Sequence, residues 1–312
     1  MHRPVRLITA VFTAAALLLA ATGCGASAGP STKSAEQRSI AHELGETEIT
    51  GTPERVVALE FSFVDTLLVL GVDPVGIADD DDESRVTQLA GDKIDYDSVG
   101  TRSEPNQEII ASLAPDLIIA DLDRHSAIYE QLSAIAPTVV LNSREGSYKD
   151  IRDGVLTIAD ALGDEPKGEA VLAAHDKTMS GYADLIPNTE TRTFQLAVAR
   201  DDSLRLHTSG SFDGAVLNAL GLTVAVQSEK PYEDVDLERV AGVNPGVLLI
   251  ATDANNPITA QWAKNAVWTG MTAIANGSSY DVDRNVFTRF RGLRSAELVA
   301  RDILSHVYGT RV

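Results

Sequence analysis

Leu113-Ala114-Pro115-Asp116-Leu117-Ile118-Ile119-Ala120 is nearly repeated in the second half of the chain as Val243-Asn244-Pro245-Gly246-Val247-Leu248-Leu249-Ile250-Ala251. In each, a helix end meets a proline, which pushes the residue before it out of helical backbone. An unbroken apolar run follows. Such a run, without polar alternation, reads as a strand buried on both faces, the usual state of a parallel sheet. The matching context in both halves predicts two equivalent α/β lobes.

The flanking sequence keeps that rhythm. Before the first copy, Arg55 to Leu59 and Val75 to Ala78 read as strands, and Phe63 to Leu70 as a helix stopped by Gly71. Asn106 to Leu113 is a helix, Ile128 to Ile135 another, and Thr138 to Leu141 a strand. Around the second copy, Thr193 to Ala199 and Val224 to Val226 are strands. Asp213 to Leu220, Leu237 to Val240 and Ser295 to Val307 are helices. Strands alternating with helices give a mainly parallel sheet with both faces covered. Ile40 to Thr50 alternates around Gly45 as an antiparallel hairpin. Between the lobes, Pro166 to Leu185 contains no further proline, and Val171, Leu172, Met179, Tyr182 and Leu185 recur at helical spacing. A helix of that length reaches about 30 Å, enough to brace two lobes.

The start of the chain has a different character. His2, Arg3 and Arg6 precede an apolar run from Leu7 to Ala20, too short and interrupted for a membrane span but suited to an export signal. It ends in Leu19-Ala20-Ala21-Thr22-Gly23-Cys24, which has the form of a bacterial lipobox, with cleavage before Cys24 and lipid on its thiol. Cys24 is the single cysteine, so neither a disulfide nor a cysteine-based metal site is expected. Gly25 to Glu36 is rich in Gly, Ala, Ser, Thr and Pro, the composition of a flexible tether. The expected organisation is a signal peptide over 1–23 and a tether over 24–39. An N-terminal lobe over 40–163, a connecting helix over 164–188 and a C-terminal lobe over 189–312 then follow. The formal charge of −19 argues against nucleic acid or an anionic lipid surface as the main partner.

An acidic protein repels anionic ligands at long range, so any such ligand needs a local concentration of positive charge. Arg284, Arg289, Arg291 and Arg294 provide one close to the C-terminus. Arg289 and Arg291 are two apart, so an extended backbone would point both the same way. Guanidinium groups suit carboxylate and phosphate oxygens through paired, charge-assisted hydrogen bonds. Exposed ion pairs contribute only ~0–1 kcal/mol, so recognition requires several arginines to converge in a sheltered cleft. Arg102 and Arg124 fall near the carboxyl ends of strands or in the loops after them, where α/β sheets bind ligands, and His207 follows the strand 193–199 and its turn. The six histidines show no zinc-ligand spacing, so no protein metal site is expected. Gly210-Ser211-Phe212-Asp213-Gly214 has its serine in the wrong slot for a nucleophile elbow, and no phosphate-binding glycine loop occurs. The acidic run Asp79 to Glu83 lacks the remaining pattern of a Ca²⁺ loop and reads as a solvated loop.

Pro53-Glu54-Arg55-Val56-Val57-Ala58-Leu59, Gly100-Thr101-Arg102-Ser103-Glu104-Pro105-Asn106-Gln107-Glu108, Pro115 to Ala120 and Ile135-Ala136-Pro137-Thr138 resemble the periplasmic-binding-protein components of iron-siderophore importers. Arg124-His125 with Ile128-Tyr129, and Arg289-Phe290-Arg291-Gly292, are similar to the branch for ferric citrate and citrate-based siderophores, carboxylate or mixed hydroxamate. The resemblance implies the class III architecture, two Rossmann-like lobes joined by a single long α-helix. It implies ligand contacts from Arg102 and Arg124 in one lobe and His207, Arg284, Arg289 and Arg291 in the other, with Arg85 and Tyr232 beside them. It also implies docking on a permease of an ATP-binding-cassette importer through Glu108 and Glu238. Gln107 departs from the usual leucine, and the acidic run at Asp79 to Glu83 is foreign to the pattern.

The expectation is therefore an extracytoplasmic, lipid-anchored, monomeric binding protein without a cofactor, whose Fe³⁺ arrives already chelated in an anionic ligand. Three rivals stand beside it. A hydrolase on the same lobes lacks a nucleophile or acid–base pair. A haem or corrinoid carrier would depend less on clustered arginines. The third is a structural lipoprotein with a vestigial cleft.

Overall fold

The computed structural model describes residues 37–312. Cys24, the signal and most of the tether lie outside the described residues. The chain begins with the hairpin β1 (Gln37–His42) and β2 (Gly45–Thr50), paired in register from Gln37↔Thr50 to His42↔Gly45. Residues 37–39, expected in the tether, thus belong to a strand. The reason is packing: Ile40 and Ile49 enter the core, and Glu43 N–H donates to the Val140 carbonyl at 3.0 Å.

The first sheet comprises β3 (Val56–Ala58), β4 (Gly76–Ile77), β5 (Asp97–Ser98), β6 (Leu117–Asp121) and β7 (Thr138–Leu141). All its pairings are parallel and its order is β5-β4-β3-β6-β7. This is a doubly wound sheet, with its switch point between β3 and β6. The second sheet contains β8 (Thr193–Ala199), β9 (Leu204–His207), β10 (Thr223–Val224), β11 (Tyr232–Val235), β12 (Val247–Ala251) and β13 (Ser279–Val282). Its order is β11-β9-β8-β12-β13, with β10 on β8. Here the expected equivalence of the lobes breaks down. β9 runs antiparallel to β8 and β11 antiparallel to β9. The turn between β8 and β9 is far too short for the crossover that a parallel pair needs.

From the first sheet to the second the chain runs through two helices, Tyr148–Leu162 and Glu165–Ala183. A capping box between Ser147 and Asp150 starts the first, and Gly163, at φ +77°, ends it. Arg38 satisfies its last carbonyls, donating to Asp160 and Ala161 at 3.0 Å each. In the second helix, His175 is buried between Tyr148 and Glu297, the latter bond 2.7 Å long. The closing helix Leu293–Tyr308 packs on both this helix and Phe61–Val69. Its N-terminus rests on Asp65, whose buried carboxylate accepts from the backbone N–H groups of Arg294 and Ser295 at 3.3 Å. A Cβ at Gly292 would lie 2.2 Å from the Asp65 carboxyl carbon, so only glycine permits this approach. Among the described residues, no helix is long and apolar enough to cross a membrane.

Candidate functional site

Every strand of the first sheet delivers a charged side chain just beyond its carboxyl end: Glu60 after β3, Asp80 after β4, Arg102 after β5, Arg124 after β6 and Arg144 after β7. The loops are held locally. Asp121 closes β6, and its carboxylate accepts from Arg124 N–H and from the N–H groups of Ser143 and Arg144, each at 2.9 Å. One acid therefore sets two arginine-bearing loops. His125 accepts from Asp121 N–H through Nδ1, so its Nε2 is the donor to the Arg102 carbonyl at 2.8 Å. Burial holds its pKa below the ordinary range, keeping this tautomer neutral.

Glu60 is the electrostatic centre of this lobe and is fully buried. Its carboxylate accepts from Arg102 Nη1 at 3.0 Å and from Arg124 Nε, and lies 3.6 Å from Arg291 Nη2 of the other lobe. Burial pushes the Glu60 pKa up, but Arg102, Arg291 and Arg124 together outweigh it and keep the group ionised. Arg102 also forks onto Asp80, with Nη2 at 2.8 Å and Nε at 3.1 Å from Oδ2, and its guanidinium lies 4.5 Å above the Phe61 ring. The acidic run is therefore structured at its start. Asp79 accepts from Tyr96 Oη at 2.9 Å and Ser98 Oγ at 2.6 Å, and Asp80 anchors Arg102. This corrects the expectation of a solvated loop. Asp80 keeps its charge because Arg102 and Arg85 beside it outweigh its burial.

The second lobe contributes Arg200 after β8, Arg205 and His207 on β9, Tyr232 opposite His207 on β11, and Arg284 after β13. Arg289 ends a π-helical turn, Asn285–Arg289, closed by Phe290 N–H donating to the Asn285 carbonyl. Arg291 follows at φ +49°, a left-handed conformation that strains a non-glycine residue by about 1–3 kcal/mol. Arg289 and Arg291 thus do converge, though through a widened helical turn and a strained residue rather than strand alternation. Such turns are frequent at functional sites. Arg291 Nη1 and Tyr232 Oη both donate to the Arg144 carbonyl, at 2.7 and 3.1 Å, tying the lobes together.

These residues enclose a cavity of about 200 Å³ lined by Arg102, Arg124, Arg144, Arg200, Arg205, Arg284, Arg289, Arg291, His207, Tyr232, Val198 and Thr288. Seven of the eight expected ligand residues line it. Arg85 does not. Its guanidinium is drawn instead onto Asp80 at 2.9 Å and Asp82 at 3.2 Å. Eight guanidinium groups line the cavity. Five carboxylates pair with them, Glu60, Asp80, Asp123, Asp234 and Asp253, and a sixth, Asp213, pairs with His207. Set against these six carboxylates, the eight guanidinium groups leave a surplus of two positive charges. Among the described residues, the buried side-chain polar atoms without a partner are Arg284 Nε, Arg291 Nε and Asp213 Oδ1, and all three lie on or directly behind this lining. An unpaired buried donor costs about 1–3 kcal/mol, so each of these two guanidinium edges carries an unmet hydrogen bond at the cavity.

Among the members of the arrangement that escaped the sequence are Glu60, Arg144, Arg200, Arg205 and Asp253. All but Arg205 follow a parallel strand, and the rule that located Arg124 would have located them. Glu60 carries a second signal, as the one acid inside Val56-Val57-Ala58-Leu59-Glu60-Phe61-Ser62-Phe63. Phe290 is not at the cavity; it is buried against Phe61 with ring centroids 5.6 Å apart. Trp262 and Trp268 pack on each other within the second lobe's core. Glu108 and Glu238 are both exposed in the first turns of the helices Gln107–Ser112 and Leu237–Val243.

Residues 56–286 match the family model described as periplasmic binding protein. The chain is 46% identical over 294 residues, 93% of each chain, to the Fe(3+)-citrate-binding protein YfmC of Bacillus subtilis. It is 33% identical to the putative ABC transporter substrate-binding lipoprotein YhfQ of the same organism, covering 94% of this chain and 95% of that one. Among solved structures, Staphylococcus aureus SirA complexed with staphyloferrin B superposes with a TM-score of 0.75 at 25% identity, over 87% of this chain and 98% of that one. An arginine-lined cavity between two α/β lobes, on a chain so closely similar to binding proteins along nearly its whole length, places this protein in the periplasmic-binding-protein family.

Proposed function

We propose that the chain is an extracytoplasmic, lipid-anchored solute-binding protein. It captures an anionic ferric chelate of the citrate-based class, carboxylate or mixed hydroxamate, and delivers it to an ATP-binding-cassette importer. The observation that carries this reading is the eight-arginine lining of the inter-lobe cavity, with two buried guanidinium edges free for acceptors. The similarity to a Fe(3+)-citrate-binding protein supports the same ligand class.

In this reading Fe³⁺ stays wrapped in its chelator and no bond is made or broken. The guanidinium groups meet the chelator's outward carboxylate oxygens through paired, charge-assisted hydrogen bonds. Because Glu60 and Asp121 already fix the arginine-bearing loops, little side-chain freedom remains to be lost on binding, which favours affinity. A haem or corrinoid would bring wide apolar faces, for which this lining offers little beyond Val198 and the Tyr232 ring. Lipid on Cys24 would hold the protein at the membrane as a monomer, with Glu108 and Glu238 turned to permease arginines.

Calorimetric titration with ferric citrate, metal-free citrate, haem and cobalamin tests the ligand class. The expected result is tight binding of a citrate-based ferric chelate and none of haem or cobalamin. A flat response to every ferric chelate would remove the proposal. Calorimetry is preferred because both tryptophans lie in the second lobe's core rather than on the cavity.

A further inference from the structure

The counter-ions of the cavity are of two kinds. Glu60 is fully buried, and its two oxygens are shared among Arg102, Arg124 and Arg291. Asp253, on the loop after β12, is about half exposed, and among the described residues it is the one carboxylate pairing with Arg284 and Arg289. Its Oδ2 accepts from Arg284 Nη1 at 2.7 Å and from Arg289 Nη2, while Oδ1 lies 3.3 Å from Arg289 Nη1. Arg200 lines the same cavity, makes no ion pair among the described residues, and adds its charge to the crowding around Arg284. The crowding is strong enough that burial and the nearby charge of Arg289 both hold the Arg284 pKa below its ordinary value. Arg284 Nε, meanwhile, has no partner.

Asp253 therefore already does what a chelator carboxylate would do, bridging two guanidinium groups from a wet position that it can leave. Building on the ligand class proposed above, we infer that Asp253 is a specificity-determining residue, a surrogate carboxylate that competes with the ligand for Arg284 and Arg289. Its charge sets how anionic a chelate the cavity prefers. While it is present, the corner is partly neutralised and weakly charged ligands are not penalised. Without it, the surplus positive charge can be satisfied only by the ligand.

The test compares the wild type with Asp253→Asn, which keeps the shape of the side chain and removes its charge. Calorimetry at one pH and ionic strength uses three probes: anionic ferric citrate, the cationic ferric complex of desferrioxamine B, and metal-free citrate. In the variant, ferric citrate and citrate should bind roughly tenfold tighter, with no gain for the cationic complex, because one competing charge has gone. Equal or weaker binding of both citrate probes would mean that Asp253 only holds the arginines in place, and would overturn the inference. If the wild type binds no ferric chelate, the proposed function fails. The Asp253 assignment is then decided by metal-free citrate alone, where no gain in the variant overturns it as well.

Discussion

Arg289 and Arg291 lie two residues apart and line the same cavity, yet their environments assign them different duties. Arg289 is partly exposed, and its partners Asp253 and Asn285 remain hydrated or satisfied without it. Arg291 is 5% exposed, sits in the left-handed region, and links Glu60 to the Arg144 carbonyl across the lobes. Arg289→Ala should weaken ferric-chelate binding by roughly ten- to a hundredfold while the melting temperature stays within a degree or two, as for a loss of charge-assisted hydrogen bonds at a rim. Arg291→Ala should lower both affinity and melting temperature, the latter by several degrees, because truncating one partner of a buried charge network costs about 3–5 kcal/mol. Thermal unfolding beside calorimetry checks both. Equal melting temperatures for the two variants would contradict the distinction.

At the scale of elements, the closing helix Leu293–Tyr308 starts on Asp65, a carboxylate buried in a helix of the first lobe. Placement at a helix N-terminus favours a negative charge. Burial nevertheless wins: it raises the Asp65 pKa from 3.8 to about 6, against the lowering by the N–H groups of Arg294 and Ser295. The sign follows from proton counting. Between pH 3.8 and about 6 the native state holds more protons on this group than the unfolded chain does, so its contribution to stability falls as pH rises through that window. Asp65→Asn removes the titration. Its melting temperature relative to the wild type should therefore climb as pH goes from 4 to 7, measured by thermal unfolding at several pH values. Parallel curves for the two proteins would show that Asp65 is not the titrating group. Gly292, forced by its closeness to Asp65, explains why Arg289-Phe290-Arg291 is followed by a residue without a side chain.

At the scale of the molecule, delivery requires a surface distinct from the cavity. Glu108 and Glu238 each occupy the exposed first turn of a helix, one in each lobe, and neither is ion-paired among the described residues. Glu108→Ala combined with Glu238→Ala should abolish uptake of ⁵⁵Fe-labelled chelate in cells and leave affinity in solution unchanged. Normal uptake would rule out the docking role. Weakened affinity would place these acids in the binding site instead.

Local sequence was enough for whatever depends on neighbours along the chain. The proline-stopped apolar runs ending in Ala120 and Ala251 determined two buried parallel strands, because burial on both faces leaves no polar alternation. The arginine types were equally legible, since few other side chains serve an anionic ligand in an acidic protein. What the sequence could not decide was which charges meet. Arg85 and Arg102 read alike, yet Asp80 and Asp82 draw Arg85 off the cavity, while Glu60 holds Arg102 on it. The antiparallel edge formed by β9 and β11 depended on a turn too short to cross the sheet, and the convergence of Arg289 with Arg291 on a widened turn next to a strained residue. Electrostatic pairing falls off with distance through space rather than along the chain, so only the tertiary structure sorted these arginines into those that line the cavity and those held away from it.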